Sequence, residues 1–276
     1  MRERRAENGS GPGAAVEPPG AAAPVSVCRL AIEPAGDSAA QAAAAVVFVP
    51  GGVLFDDTLW RRWLLGLLNR LGLRLEYHRF CESLERDYLT KSYCGLCSCD
   101  QAIGSFLRRL GLSRGQVDEI TTAGRSRREY FEATLRPLPG ALATLEQLAA
   151  ANLSLAVLAD SPLSGVALQQ KLSRLGLGQY FDVVVSSCDL RTTLPESTNY
   201  RAVCAALEVP ADQVVLVGSR SRDLAAATQF GMRTIACNND ADAQADQFAA
   251  NLRQVADLIG PFTVSRHEVP RDRAAA

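Results

Sequence analysis

Lysine is almost missing from this 276-residue chain; Lys91 and Lys171 are the only two. Arginine carries the positive charge instead, and 29 basic residues face 30 acidic ones for a formal net charge of −1. A balance so close to zero argues against a broad basic surface for nucleic acid or anionic lipid. Long apolar runs are lacking as well, although 47% of the residues are hydrophobic; no stretch is long enough to span a bilayer as a helix. Histidine is limited to His78 and His267. There is no G-x-S-x-G elbow and no P-loop. The opening Met1-Arg2-Glu3-Arg4-Arg5 is followed by no apolar segment of the kind a signal peptide needs. A cytoplasmic chain is expected, with its eight cysteines held as thiols rather than as a disulfide framework.

The residues that are present divide the chain by composition. Residues 1–40 are rich in Ala, Pro and Gly and bury too little apolar area to offset ordering entropy, so disorder is expected there, with Val25–Ile32 as a candidate edge strand. Ala45 to Val49 then reads as a buried strand. From 58 to 136 the period becomes helical, with Trp60, Trp63, Leu64, Leu67, Leu68 and Leu71 on one face. Asp100 and Ser113 are candidate N-caps within this stretch. After Pro137 the chain alternates short apolar strands near 153–159, 182–186, 213–217, 233–236 and 247–249 with helices between them. That alternation predicts βαβ units, hence an α/β fold with a parallel sheet. The expected organisation is a core made of 41–57 and 137–262, a helical cap at 58–136, and a polar tail at 263–276.

The strand and turn Ala45-Val46-Val47-Phe48-Val49-Pro50-Gly51-Gly52-Val53-Leu54-Phe55-Asp56-Asp57-Thr58 resembles the first motif of the haloacid dehalogenase-like (HAD) hydrolases, which reads DxDGT or DxDxT after a strand. Arg136-Pro137-Leu138-Pro139-Gly140 resembles the family's re-entry after a helical cap. Val214 to Gly218, followed by Asp223, Ala226 and Gly231-Met232, is similar to its hhhhGDSxxD…A…GM segment. The subfamily resembled is phosphoglycolate-phosphatase-like, and the resemblance implies a Rossmann-like parallel core with an inserted helical cap. It also implies where the chemistry belongs. The nucleophilic aspartate is replaced by Val49 and the acid/base aspartate by Gly51. The phosphoryl-binding hydroxyl position is Ala159, the lysine before proline is Leu194, and the fourth motif carries Ser219 and keeps only Asp223. Asp56 and Asp57 follow the motif and are read as caps of the first helix rather than as substitutes.

Losses in all four segments lead to the expectation of a chain that is not an enzyme, a degenerate relative acting by binding or association. The partner is expected to be a small anionic ligand or a protein. Ser219, Arg220, Arg222 and Asp223 form its candidate metal-free anion pocket, since an arginine fork at the carboxyl edge of a sheet holds phosphate or carboxylate. The alternative is a phosphatase-type hydrolase using unconventional residues, and Mg²⁺ is expected only in that case. His78, Cys81, Cys94 and Cys97 have zinc-ligand residue types, but a single CxxC is present and the expectation is idle thiols without metal.

Overall fold

The computed structural model describes residues 43–259. The segment 1–40, with its candidate strand at Val25–Ile32, and the tail from 263, with His267, lie outside the described residues. β1 (Ala45–Phe48) leads into a helical stretch of α1 (Leu59–Arg70), α2 (Tyr77–Ser83), a π-helical turn (Leu84–Leu89), α3 (Thr90–Tyr93), α4 (Cys99–Arg109) and α5 (Arg114–Thr134). Strands and helices then alternate: α6 (Ala141–Ala150), β2 (Ser154–Ala159), α7 (Gly165–Arg174), β3 (Val183–Ser186), α8 (Ser187–Leu190), α9 (Ser197–Leu207), β4 (Val214–Gly218), α10 (Ser221–Phe230), β5 (Arg233–Cys237), β6 (Gln247–Ala249) and α11 (Leu252–Ile259).

All six strands pair in parallel in the order β3-β2-β1-β4-β5-β6. β1 therefore sits in the middle, flanked by β2 and β4. Every residue of β1 is buried, and its alternate side chains feed opposite layers. Val46 and Phe48 join the cluster formed with α6, α7 and α11, whereas Ala45, Val47 and Val49 join the one formed with α9 and α10. Helices on both faces explain why the strands read as continuous apolar runs in the sequence.

The helices α1 to α5 gather a third cluster of their own, centred on Leu64, Leu68, Phe80, Leu84, Ile103 and Leu107. Two capping boxes define helix starts: Ser98 with Gln101 begins α4, and Ser113 with Gln116 begins α5. Ser98, not Asp100, is thus the cap of α4. Asp100 lies in the first turn, where its carboxylate accepts from Arg125 Nε at 2.7 Å and also pairs with Arg128, both on α5. A charge one turn inside a helix is better placed to reach across to a neighbouring helix than to bend back to its own end. None of the helices is long and apolar enough to cross a membrane among the described residues.

Candidate functional site

Helices, strand ends and turns meet at the carboxyl edge of β1, β2 and β4, where a cavity of about 480 Å³ opens beneath the helical lobe. Two acidic groups there lie outside the motif positions. The first is Asp57. After β1, Val49 extends the ladder by donating its N–H to Val217 O at 2.9 Å, and its side chain is only 8% exposed. The chain then turns at Gly52, with φ +74°. A Cβ added at Gly51 would stand 2.8 Å from Asp57 Oδ2. The Asp57 carboxylate therefore fills the space that a side chain at position 51 would need.

Asp57 is not a helix cap. Asp56 makes the local turn, accepting the Thr58 N–H at 2.8 Å and its Oγ1 at 2.6 Å. Asp57 instead pairs one turn along α1 with Arg61, Nη1 to Oδ2 3.2 Å, an (i, i+4) contact. Arg61 is 4% exposed. It also stands 2.9 Å from Glu85, on the π-helical turn, and donates to the Tyr93 hydroxyl at 3.4 Å. Glu85 in turn pairs with Arg220 at 3.2 Å. An alternating row of charges, Asp57, Arg61, Glu85 and Arg220, thereby ties the lobe to the strand ends. Burial works against the Asp57 charge, but Arg61 and Arg220 outweigh it and hold the carboxyl below its usual range. Burial is also the main reason the Tyr93 hydroxyl is pushed up to about 12.

The second group is Asp160, one residue beyond the end of β2. Its Oδ1 accepts the Leu194 N–H at 2.9 Å, and its Oδ2 lies 3.4 Å from Arg222. The side chain is 6% exposed. Burial pushes its pKa up to about 7, and the neighbouring Asp223 charge adds to the rise while the Leu194 amide and the arginines oppose it. Asp223 is raised for the same primary reason, burial. Neither of its carboxylate oxygens has a hydrogen-bond partner, although Arg222 Nε stands 3.3 Å away. Asp57, Asp160, Asp223, Arg61 and Arg220 all line the one cavity.

Of the residues singled out from the sequence, Val49, Gly51, Ala159 and Leu194 all line the cavity, and Ser219 donates to Gly51 O at 3.3 Å. Arg220 faces the cavity but is already engaged by Glu85, and Arg222 by Asp160 and Asp223. The amino end of α10, expected as an anion seat, is occupied from within the chain: the Ser221 N–H donates to Asp240 Oδ2 at 3.3 Å and its hydroxyl to Asp242 at 2.8 Å. His78, Cys81, Cys94 and Cys97 are not gathered, and no group of three metal-capable side chains occurs among the described residues. Mg²⁺ takes a near-octahedral set of oxygens. Val49, Gly51 and Ser219 offer no carboxylate, and Asp57, Asp160 and Asp223 each carry an arginine, so the donor set does not fit that ion. Arg61, Glu85 and Asp160 escape a motif-based reading. The available signal was Asp160's place at a strand's carboxyl end, where open α/β sheets bind ligands.

The description "Haloacid dehalogenase-like hydrolase" fits residues 81–237. The chain is 30% identical over 161 residues to (S)-2-haloacid dehalogenase 4A of Burkholderia cepacia, covering 58% of this chain and 65% of that relative, just under two thirds of its length. It is 29% identical over 230 residues to a glyceraldehyde 3-phosphate phosphatase of Methanocaldococcus jannaschii, covering 75% of this chain and 96% of the relative. A solved dehalogenase structure superposes with a TM-score of 0.59 at 22% identity, over 78% of this chain and 96% of the other. The expectation that the chain is not an enzyme is overturned by these relatives, which are named for hydrolytic activities. The physical reason is visible in the cavity. Counting carboxylates at the motif positions gave a nearly empty site, whereas the folded chain brings Asp57 and Asp160 to the same strand ends from positions just outside the motifs.

Proposed function

The chain belongs to the haloacid dehalogenase-like hydrolase family, and from that premise we propose that it hydrolyses a small organic anion, at a phosphate ester or a carbon–halogen bond, with a displaced pair of carboxylates. The observation that carries this reading is the Asp57 carboxylate standing 2.8 Å from the missing Cβ of Gly51, in the cavity that Asp160, with a pKa of about 7, also lines. Val49 has no lone pair, so attack by a residue at that position is not available. Asp160 suits a general base: near neutral pH a useful fraction is ionised and ready to accept a proton, and the protonated form gives it up again readily. In the proposed step Asp160 takes a proton from water. The water oxygen bonds to phosphorus or to the halogen-bearing carbon, and the ester oxygen or the halide leaves with the bonding pair. A leaving oxygen collects its proton from solvent in the open cavity, and a halide needs none. Asp57, kept ionised by Arg61 and Arg220, would accept a hydrogen bond from the same water and fix its direction.

No metal enters this step. Arginines stand against the three carboxylates, and the reaction is expected to proceed in chelator. The test is release of inorganic phosphate from p-nitrophenyl phosphate and of chloride from 2-chloropropionate, with and without EDTA. Turnover of one of them that persists in EDTA and disappears in both Asp57→Asn and Asp160→Asn is the expected result. Equal rates in both variants and the parent protein would sink the carboxylate assignment, and no release from either compound would sink the reading of the substrate class.

A further inference from the structure

One contact between the lobe and the sheet lies close to Asp160 and has no part in the chemistry above. Tyr93 closes α3, and its carbonyl accepts the Ser187 hydroxyl at 3.0 Å. Two residues later Gly95 turns with φ +67°, and a Cβ there would lie 3.2 Å from Cys188 Sγ and 3.7 Å from Cys188 O. The Cys188 thiol is thus packed against the backbone of the loop after α3, at a place left open by the glycine. Cys94 is the residue between these two contacts. Both thiols are free, Cys94 buried and Cys188 half-buried, and the two interact electrostatically.

We propose that Cys94 and Cys188 form a disulfide when the protein meets a hydroperoxide, fastening the helical lobe to the carboxyl end of β3. A bridge needs its Cβ atoms within about 4.5 Å. The flanking contacts at residues 93 and 95 already hold the two backbones together on either side of position 94. Gly95, with no side chain and a left-handed φ, lets the loop make the remaining adjustment. The chemistry balances with hydrogen peroxide as oxidant. The more exposed Cys188 sulfur attacks one peroxide oxygen, the O–O bond breaks, and the first water leaves, giving a sulfenic acid. The Cys94 sulfur then attacks the Cys188 sulfur, the S–O bond breaks, and the second water leaves with the Cys94 proton. Two thiols are oxidised and one peroxide is reduced to two waters.

The experiment treats the full chain with hydrogen peroxide, then counts thiols in denaturant and maps peptides without reduction. The thiol count is expected to fall by two, with Cys94 and Cys188 in one linked peptide pair, and the Cys188→Ser protein is expected to lose none. Because the map is read on the unsubstituted protein, the result does not depend on how the variant folds. A link between other cysteines, thiol loss by over-oxidation of Cys188 without a link, or no loss at all would each overturn the assignment.

Discussion

β1 and β2 run side by side, with Ala45 opposite Ser154 and Phe48 opposite Val157, and both finish beneath the helical lobe. Past β1 stands Val49, 8% exposed in an apolar cluster with Leu194 and Leu216. Past β2 stands Asp160, its side chain 6% exposed and carrying a carboxyl whose pKa is lifted to about 7. The same layer of the molecule therefore carries an apolar side chain at one strand end and a carboxyl of raised pKa at the next. Acidity at a sheet's edge is set by where a carboxylate emerges into the cavity, not by which strand carries it. Because the arginines Arg61, Arg220 and Arg222 reach both ends, a carboxylate can move sideways and still find its counter-charges.

The sharpest break of this contrast is at Asp160. Asp160→Asn is expected to lower kcat/KM by about 10²–10⁴, the span that general base catalysis supplies, whereas Val49→Ala should change it by less than about tenfold, since Val49 offers no reacting atom. Rates measured across pH should rise through about 7 and then level off, as the Asp160 carboxyl loses its proton, and that rise should vanish in the asparagine variant.

The charge row that spans the two ends gives the next effect. Arg61→Leu removes the cation shared by Asp57 and Glu85. Breaking a buried pair by removing one partner costs about 3–5 kcal/mol, and the partial exposure of Asp57 places this case near about 3 kcal/mol. Urea denaturation reads it as a lower midpoint with an unchanged slope. A smaller change is expected from Gly51→Ala. Its methyl would press on Asp57 Oδ2, which now lies 2.8 Å from that place, so Asp57 must rotate away. Turnover should fall by about tenfold, the scale of a modest misplacement of a positioning group, while the denaturation midpoint moves little.

A further effect is on stability against pH. Asp160 has a raised pKa in the folded chain, from 3.8 to about 7, so the folded state binds more protons than the unfolded state between those values. Stability from this group is fully present below about 4 and declines as pH rises toward about 7. Asp160→Asn should therefore melt higher than the parent protein at pH 8, and the difference should close as pH is lowered toward 4.

The fold was legible because its signals are local and repeated. Runs such as Val214–Gly218 and 155–159 are apolar throughout, which only strands covered on both faces require, and the helices between them show the helical period. The site was harder to read. Val49, Gly51, Ala159 and Leu194 line the cavity, since position relative to a strand end fixes where a residue emerges. Asp57's approach to Gly51 was not legible, because it depends on how the turn between them folds back. Arg61 and Glu85 meet from separate helical segments, a relation no linear spacing encodes. The pairing of Arg220 with Glu85 likewise depends on tertiary packing.

Glu85 reaches its two arginines from a π-helical turn, Leu84–Leu89, and such turns hold one residue more than an α-helix would in the same length. Removing a single residue from that segment would let it relax to ordinary helix while α2 and α3 keep their relative orientation. Only residues within the turn would change face, so the position of the deletion decides whether Glu85 still reaches Arg61 and Arg220. Length, rather than residue identity, is the variable that sets this contact. A scan of single-residue deletions through 84–89 would explore a dimension of the lobe's alignment with the sheet that no panel of substitutions can sample.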